Sequence, residues 1–198
     1  YDSGLIQKID LAASSPVEVP IATLPQSATG LAAAGDLVFA SDPSGAWHTH
    51  YVFSSDGTML DSREWNYYSE EFIWNGVNRR MYFYRDNMSP DDLHFEEIGT
   101  DGKLGEGGET PGHGDDDFIH PFRVAPDGSI VVLSNGSIYD AHSMDRLGNS
   151  LSESMTDAAW LGSVLFTVRE DGRTVRRWDG ATYAPGPTHL LPGTSARL

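Results

Sequence analysis

Four short runs of strand-forming residues, each closed by a turn sequence, follow one another between Gly30 and Trp65 and restrict the chain to stacked antiparallel hairpins. The runs are LAAA (Leu31–Ala34), LVFAS (Leu37–Ser41), WHTHYVFS (Trp47–Ser54) and TMLDSREW (Thr58–Trp65). Between them lie Gly35-Asp36, Asp42-Pro43-Ser44-Gly45 and Asp56-Gly57. Gly and Asp tolerate positive φ and Pro presets a turn angle, so each stretch reverses the chain. Strands joined by tight turns pair with their sequence neighbours, which predicts one four-stranded antiparallel sheet.

The same order returns three times. From Glu71 it reads FIWNG, RMYFYRD (Arg80–Asp86), LHFEEIG (Leu93–Gly99), Asp101-Gly102 and LGEGGE. From His120 it reads PFRVA, Asp127-Gly128, IVVLS (Ile130–Ser134), Asn135-Gly136, SIYDAHSM (Ser137–Met144) and a tail to about Ser154. The last copy begins near Asp157 with AAWLG, then VLFTVRE (Val164–Glu170), Asp171-Gly172, TVRRWD (Thr174–Asp179), Gly180-Ala181 and TYAP. The starts are spaced by roughly 36 to 49 residues, the range of one four-stranded repeat. No long segment keeps apolar residues at helical spacing, so little helix is expected.

These repeats resemble the blades of a β-propeller, of the kind found in exported bacterial proteins, across essentially the whole chain. The resemblance stops at the level of the blade. Trp178-Asp179 ends a third strand, where WD-repeat propellers place their Trp-Asp pair, but the other three repeats lack it and no Gly-His dipeptide accompanies it. Integrin-type calcium repeats need closely spaced aspartates before a glycine, whereas Asp56-Gly57, Asp101-Gly102, Asp127-Gly128 and Asp171-Gly172 read as hairpin turns. The propeller resemblance implies that each first strand (LAAA, FIWNG, PFRVA, AAWLG) lines a central channel. Large residues of the second and third strands, Phe39, Tyr82, Phe83, Val131, Leu165 and Phe166, then pack blade on blade.

The expected architecture is therefore all-β, with blades at about 30–66, 70–110, 119–155 and 156–189. A partial blade at 1–25 supplies LIQKIDLA (Leu5–Ala12) and VEVPIATLP (Val17–Pro25), which match third and fourth strands, and 190–198 reads as the start of a next blade. Ragged ends of this kind favour a segment of a larger propeller over a ring closed within 198 residues. An unclosed blade leaves strand edges that natural sheets cover.

Composition narrows the partners. Thirteen Lys+Arg against 29 Asp+Glu give a formal net charge of −16, which repels phosphate backbones and anionic membranes and excludes nucleic acid as an expected partner. No run approaches the roughly 18 apolar residues of a membrane span. There is no cysteine, hence no disulfide, thiolate metal site or cysteine nucleophile, and an extracellular or periplasmic location is the expectation.

Chemistry-bearing residues are few. His48 and His50 stand two apart on a strand, leave the same face and are candidates to share a metal, with His94, His113 or His120 as further ligands. The simpler reading is a surface pair on a polar strand. The stretch from Thr100 to Asp117 carries Asp101, Glu106, Glu109, Asp115, Asp116 and Asp117, oxygen ligands of the kind calcium takes, although a solvated acidic loop needs no ion. Calcium is the only cofactor that the sequence brings to mind. Arg123 on a channel strand, with Trp74 and Trp160 on similar strands, suits a carboxylate or a sugar ring, unless a nearby acid neutralises the Arg. Asn87-Met88-Ser89 and Asn135-Gly136-Ser137 fit the glycosylation sequon, the second being a hairpin turn first.

No nucleophile elbow, phosphate-binding glycine loop or zinc-protease helix is present. The leading expectation is a non-catalytic module that binds a protein or carbohydrate ligand. Two alternatives stand beside it. One is a polysaccharide lyase or hydrolase using His50, Tyr51, His120 and Arg123 for acid/base work and carboxylate binding. The other is a structural segment of a larger surface adhesin.

Overall fold

The computed structural model describes residues 4–65, 68–85, 91–112 and 120–194, and every regular element among them is a strand. Two compact units are present, one of Tyr1–Met88 with His94–Gly107 and the other of Ser89–Leu93 with Gly108–Leu198.

In the first unit, β1 (Leu5–Ile9) and β2 (Glu18–Thr23) form an antiparallel pair. A four-stranded sheet follows from β3 (Gly30–Ala34), β4 (Leu37–Asp42), β5 (His48–Ser54) and β6 (Met59–Trp65), paired in sequence order. A second such sheet comprises β7 (Phe72–Asn75), β8 (Arg80–Tyr84), β9 (Leu93–Ile98) and β10 (Leu104–Glu109). The second unit holds a sheet of β11 (Phe122–Val124), β12 (Ile130–Leu133), β13 (Ser137–Asp140) and β14 (Arg146–Ser150). It holds another of β15 (Met155–Leu161), β16 (Val164–Arg169), β17 (Thr174–Trp178) and β18 (Pro185–Leu190). The all-β class and the four-stranded antiparallel repeat expected from the sequence are what the chain adopts.

One turn chemistry recurs and sets the hairpin registers. At Asp56-Gly57, Asp101-Gly102, Asp127-Gly128 and Asp171-Gly172 the glycine takes φ between 63° and 89°. Its N–H donates to the carbonyl three residues back, from Gly57 to Ser54 (2.9 Å) and from Gly128 to Ala125 (2.8 Å) for example. The aspartate then accepts the N–H of the residue after the glycine, Thr58 at 3.1 Å and Ser129 at 3.0 Å. Asn135 does the same for Ser137 at 2.9 Å. A left-handed glycine beside a side chain that imitates a backbone acceptor joins neighbouring strands without leaving polar groups unpaired.

Each unit packs its sheets through apolar residues of the inner strands. In the first, Ala34, Phe39 and Val52 meet Phe72, Met81, Phe83, Ile98 and Leu104, so two blades share one core. On the other face of the first blade, Ile6 and Leu24 meet Ala40, Tyr51 and Phe53, which seats the β1–β2 hairpin there. In the second unit Ile130, Val132 and Ile138 pack with Met155, Ala158, Leu165 and Trp178. Of the residues expected to pack blades together, Phe39, Tyr82, Phe83, Val131 and Leu165 are fully buried and Phe166 is half-buried.

Three segments differ from expectation. SIYDAHSM is a strand only to Asp140, because that side chain accepts the N–H groups of His142 and Ser143, both at 2.8 Å, and turns the chain. Thr182–Ala184 of TYAP are outside any strand, and the fourth strand of the sheet starts at its Pro185 and runs as PGPTHL (Pro185–Leu190). Leu190 thus closes β18 and does not open a next blade, while 195–198 lie outside the described residues.

Candidate functional site

The second unit carries a cleft of about 280 Å³ whose walls are Trp160 on β15 and three turns. The β11–β12 turn contributes Asp127 and Ser129, the β15–β16 turn Ser163, and the β17–β18 turn Tyr183. Asp179 builds the last of these. Its Oδ1 accepts Ala181 N–H (3.1 Å), Thr182 N–H (2.8 Å) and the Thr182 hydroxyl (2.8 Å), while Tyr183 N–H donates to the Asp179 carbonyl at 2.9 Å. The turn leaves Tyr183 at φ 55°, a left-handed conformation that is unusual for a bulky residue. Gly180 lies so close to Ser163 that a Cβ would stand 1.7 Å from the Ser163 carbonyl oxygen, so this contact between two turns needs glycine.

Trp160 and Tyr183 are half-buried, each resting one side on the core and turning the other to the cleft. Burial pushes the Tyr183 hydroxyl pKa up, and the Asp127 charge adds to the shift, so the hydroxyl keeps its proton. Asp127 is held below the usual carboxylate range, by the Ser129 hydroxyl first and the Ser129 amide second. Both of those bonds fall on Oδ1, at 2.6 and 3.0 Å, which fixes the carboxylate and leaves Oδ2 for an incoming donor.

His48 and His50 are not a surface pair. Both are buried, His50 completely, in an aromatic cluster. The His50 ring contacts Phe39, Trp65, Phe72 and Phe83 at centroid distances of 5.1 to 5.6 Å. What allows a histidine there is Glu96 on β9, whose Oε2 lies 2.8 Å from His50 Nδ1 and whose Oε1 lies 3.3 Å from Arg63 Nη1. Arg63 also donates to the carbonyls of Leu104 (2.9 Å) and Gly105 (2.8 Å), so its charge is tied down at the sheet edge. Burial, and then the neighbouring His50, lower the His48 pKa against an opposing pull from Asp42. No third ligand atom joins His48 and His50 in a metal-sized group among the described residues. His94 stacks on Phe83 at 5.8 Å with its edge to Trp65.

Tyr51 and Arg123 are similarly occupied. The Tyr51 hydroxyl meets Ser44 Oγ at 2.6 Å and Asp42 Oδ1 at 3.3 Å, and burial raises its pKa. Arg123 Nη2 lies 2.6 Å from Asp157 Oδ1, with that carboxylate almost wholly buried, so the Arg has an internal partner. Trp74 is half-buried with the Arg79 guanidinium 5.6 Å over its ring. His120 lines a separate cleft of about 290 Å³ with Asn135, Thr156 and Glu170. His113, Asp115, Asp116, Asp117 and the sequon at Asn87 lie outside the described residues.

Asp127, Tyr183, Glu96 and Asp157 escape a reading of the sequence. Asp127 announces a turn rather than a site, and Tyr183 follows a turn signal with nothing to mark its side chain for use. Of Trp74, Arg123 and Trp160, which the sequence offers as ligand-binding residues, Trp160 is the one that lines this cleft.

No protein-family model and no curated protein matches the chain. Solved structures do. A functionally unknown protein from Desulfotomaculum acetoxidans DSM 771 is similar at TM-score 0.65 and 15% identity, over 98% of this chain and 67% of that one. Dihydro-heme d1 dehydrogenase NirN in complex with DHE is similar at 0.71 and 13%, over 98% and 44%. A chain of the mitotic checkpoint complex is similar at 0.67 and 13%, over 98% and 63%. Identities this low show a shared fold alone, and the chain spans 44 to 67% of these neighbours' lengths. An enzyme and a checkpoint assembly on one fold is the usual separation of architecture from activity.

Proposed function

We propose that this chain is a non-catalytic binding module, a propeller-type domain of an exported bacterial protein that holds a ligand in its turn-lined cleft. One observation carries the reading: Trp160 presents a half-buried ring to a cleft with Tyr183 and a pre-oriented Asp127. Preformed concave sites with aromatic walls and a few fixed polar groups are where ligands bind. By contrast, His50 Nδ1, the Tyr51 hydroxyl and the Arg123 guanidinium face Glu96, Asp42 and Asp157.

The test is turnover against binding. The full chain is incubated with polyuronates and neutral polysaccharides while unsaturated-product absorbance and reducing ends are followed. No product is expected. Turnover that Tyr51→Phe or Arg123→Lys removes from a folded protein would overturn the reading.

A lyase or hydrolase has one specific support, the imidazole of His120 and the carboxylate of Glu170 on the same cleft. Turnover abolished by His120→Gln and untouched by Trp160→Ala would establish it.

A further inference from the structure

We infer that the occupant of the Trp160 cleft is a neutral pyranose sugar, its ring laid on the Trp160 indole and its hydroxyls bonded to Asp127 and Tyr183. This rests on the binding-module reading and names the ligand class that the reading leaves open.

The chemistry of the walls selects it. A pyranose has one face of C–H bonds and a rim of hydroxyls. The C–H face matches a flat aromatic surface, and an indole already anchored in the core loses little rotational freedom when it is covered. The rim needs donors and acceptors at fixed places. Asp127 is an acceptor oriented through its Oδ1 bonds to Ser129, and the Tyr183 hydroxyl keeps its proton and donates. Ser163 borders the same space and offers a further hydroxyl group.

Size and charge remove the competitors. At about 280 Å³ the cleft is just below the 300–1,000 Å³ usual for drug-sized ligands, which suits one sugar ring with the rest of a chain leaving through the mouth. Asp127 is the only charged side chain among the lining residues, and the whole chain carries −16. A uronate, sulfate or phosphate brought against that carboxylate gains no counter-charge. A quaternary ammonium is drawn to ring faces, but here two aromatics share the walls with serines and turn backbone, which match hydroxyls better than methyl groups.

The backbone supports a use for Tyr183. A residue in the left-handed region is strained and persists where the surroundings impose it. Asp179, with its bonds to residues 181 and 182, imposes it here and delivers the ring to the cleft.

The experiment titrates the full chain with maltohexaose, cellohexaose, mannohexaose and xylohexaose, with oligogalacturonate as the anionic probe and choline as the cationic one. Amide chemical shifts locate the contact and tryptophan fluorescence follows affinity. We expect at least one neutral oligosaccharide to shift amides at 125–130, 160–163 and 180–183. Its affinity should fall at least tenfold in Trp160→Ala and severalfold in Asp127→Asn, which keeps the turn-forming oxygen. If Trp160→Ala proves unfolded by its thermal melt, Asp127→Asn and Tyr183→Phe carry the test. Choline or oligogalacturonate shifting those amides with every neutral sugar silent would overturn the pyranose inference and leave the cleft a binding site. A neutral sugar that binds while those amides stay still, or no probe moving them, would overturn both.

Discussion

His50 Nδ1 and Glu96 Oε2 stand 2.8 Å apart in the core of the first unit, with 0 and 3% of their side chains exposed. The pair joins the third strand of one sheet to the third strand of the next, and Arg63 closes it from the solvent side. Glu96 is the hydrogen-bond partner of a buried imidazole nitrogen and the counter-charge of Arg63. We expect Glu96→Ala to cost about 2–3 kcal/mol in urea unfolding of the full chain, because a buried polar group is left without its partner. Arg63→Ala, whose side chain is 39% exposed, should cost about 1 kcal/mol, since solvent screens its share. A Glu96→Ala loss no larger than that of Arg63→Ala would show that the imidazole tolerates its site alone.

His48 makes stability depend on pH in a stated direction. Its folded pKa is lowered from 6.5, chiefly by burial and then by the neighbouring His50, with Asp42 pulling the other way. The unfolded chain therefore takes the proton first as pH falls. Stability from this residue is complete above about 6.5 and declines below it toward the folded pKa. Thermal melts from about pH 7.5 to 5 should show a decline in the parent that is shallower in His48→Leu. Parallel curves would mean that His48 does not titrate differently in the two states.

Gly57 and Gly35 separate two reasons for glycine. Both are left-handed, at φ 89° and 68°. A Cβ on Gly35 meets nothing within 4 Å, whereas one on Gly57 would stand 1.6 Å from the carbonyl oxygen of Ile21 on β2. Gly35→Ala should cost about 1–2 kcal/mol from the backbone alone. Gly57→Ala should cost clearly more, because the β1–β2 hairpin must shift. Equal losses in denaturant melts would mean that the hairpin is loosely seated.

Trp178 donates its indole N–H to Thr167 Oγ1 at 2.8 Å, and both residues are buried. Thr167→Val keeps the shape and removes the acceptor. The expected loss is about 1–3 kcal/mol, the cost of a buried donor left unpaired. A neutral substitution would show that water reaches the indole.

Much of the fold was legible because its turns carry their own chemistry. The four strands of the first blade follow from Gly35-Asp36, Asp42–Gly45 and Asp56-Gly57 with alternating runs between them. β18 was illegible for a physical reason: PGPTHL contains two prolines, which read as loop. Proline is tolerated on an edge strand, where one side of the backbone needs no partner. The site was less legible still. Glu96 lies 46 residues from His50, so nothing local shows that a polar-looking strand has its charge answered from the neighbouring blade. Trp160 stood out by residue type, but its companions Asp127 and Tyr183 arrive on separate turns that only the folded sheets bring together.

The Asp-Gly turns have a consequence for the chemical lifetime of the chain. Asp-Gly peptides age when the glycine nitrogen attacks the side-chain carboxyl and closes a succinimide that reopens as isoaspartate, a reaction that needs the carboxyl protonated so that water can leave. In the folded turns Asp56, Asp127 and Asp171 are held below the ordinary carboxylate range, Asp171 at about 2, and so stay ionised. The attacking nitrogens of Gly57, Gly128 and Gly172 are engaged with Ser54, Ala125 and Arg169. The hairpins thus slow the rearrangement that their own sequence invites, and isoaspartate should mark chains that have spent time unfolded. Peptide mapping of folded and urea-unfolded protein after equal incubation reads that difference.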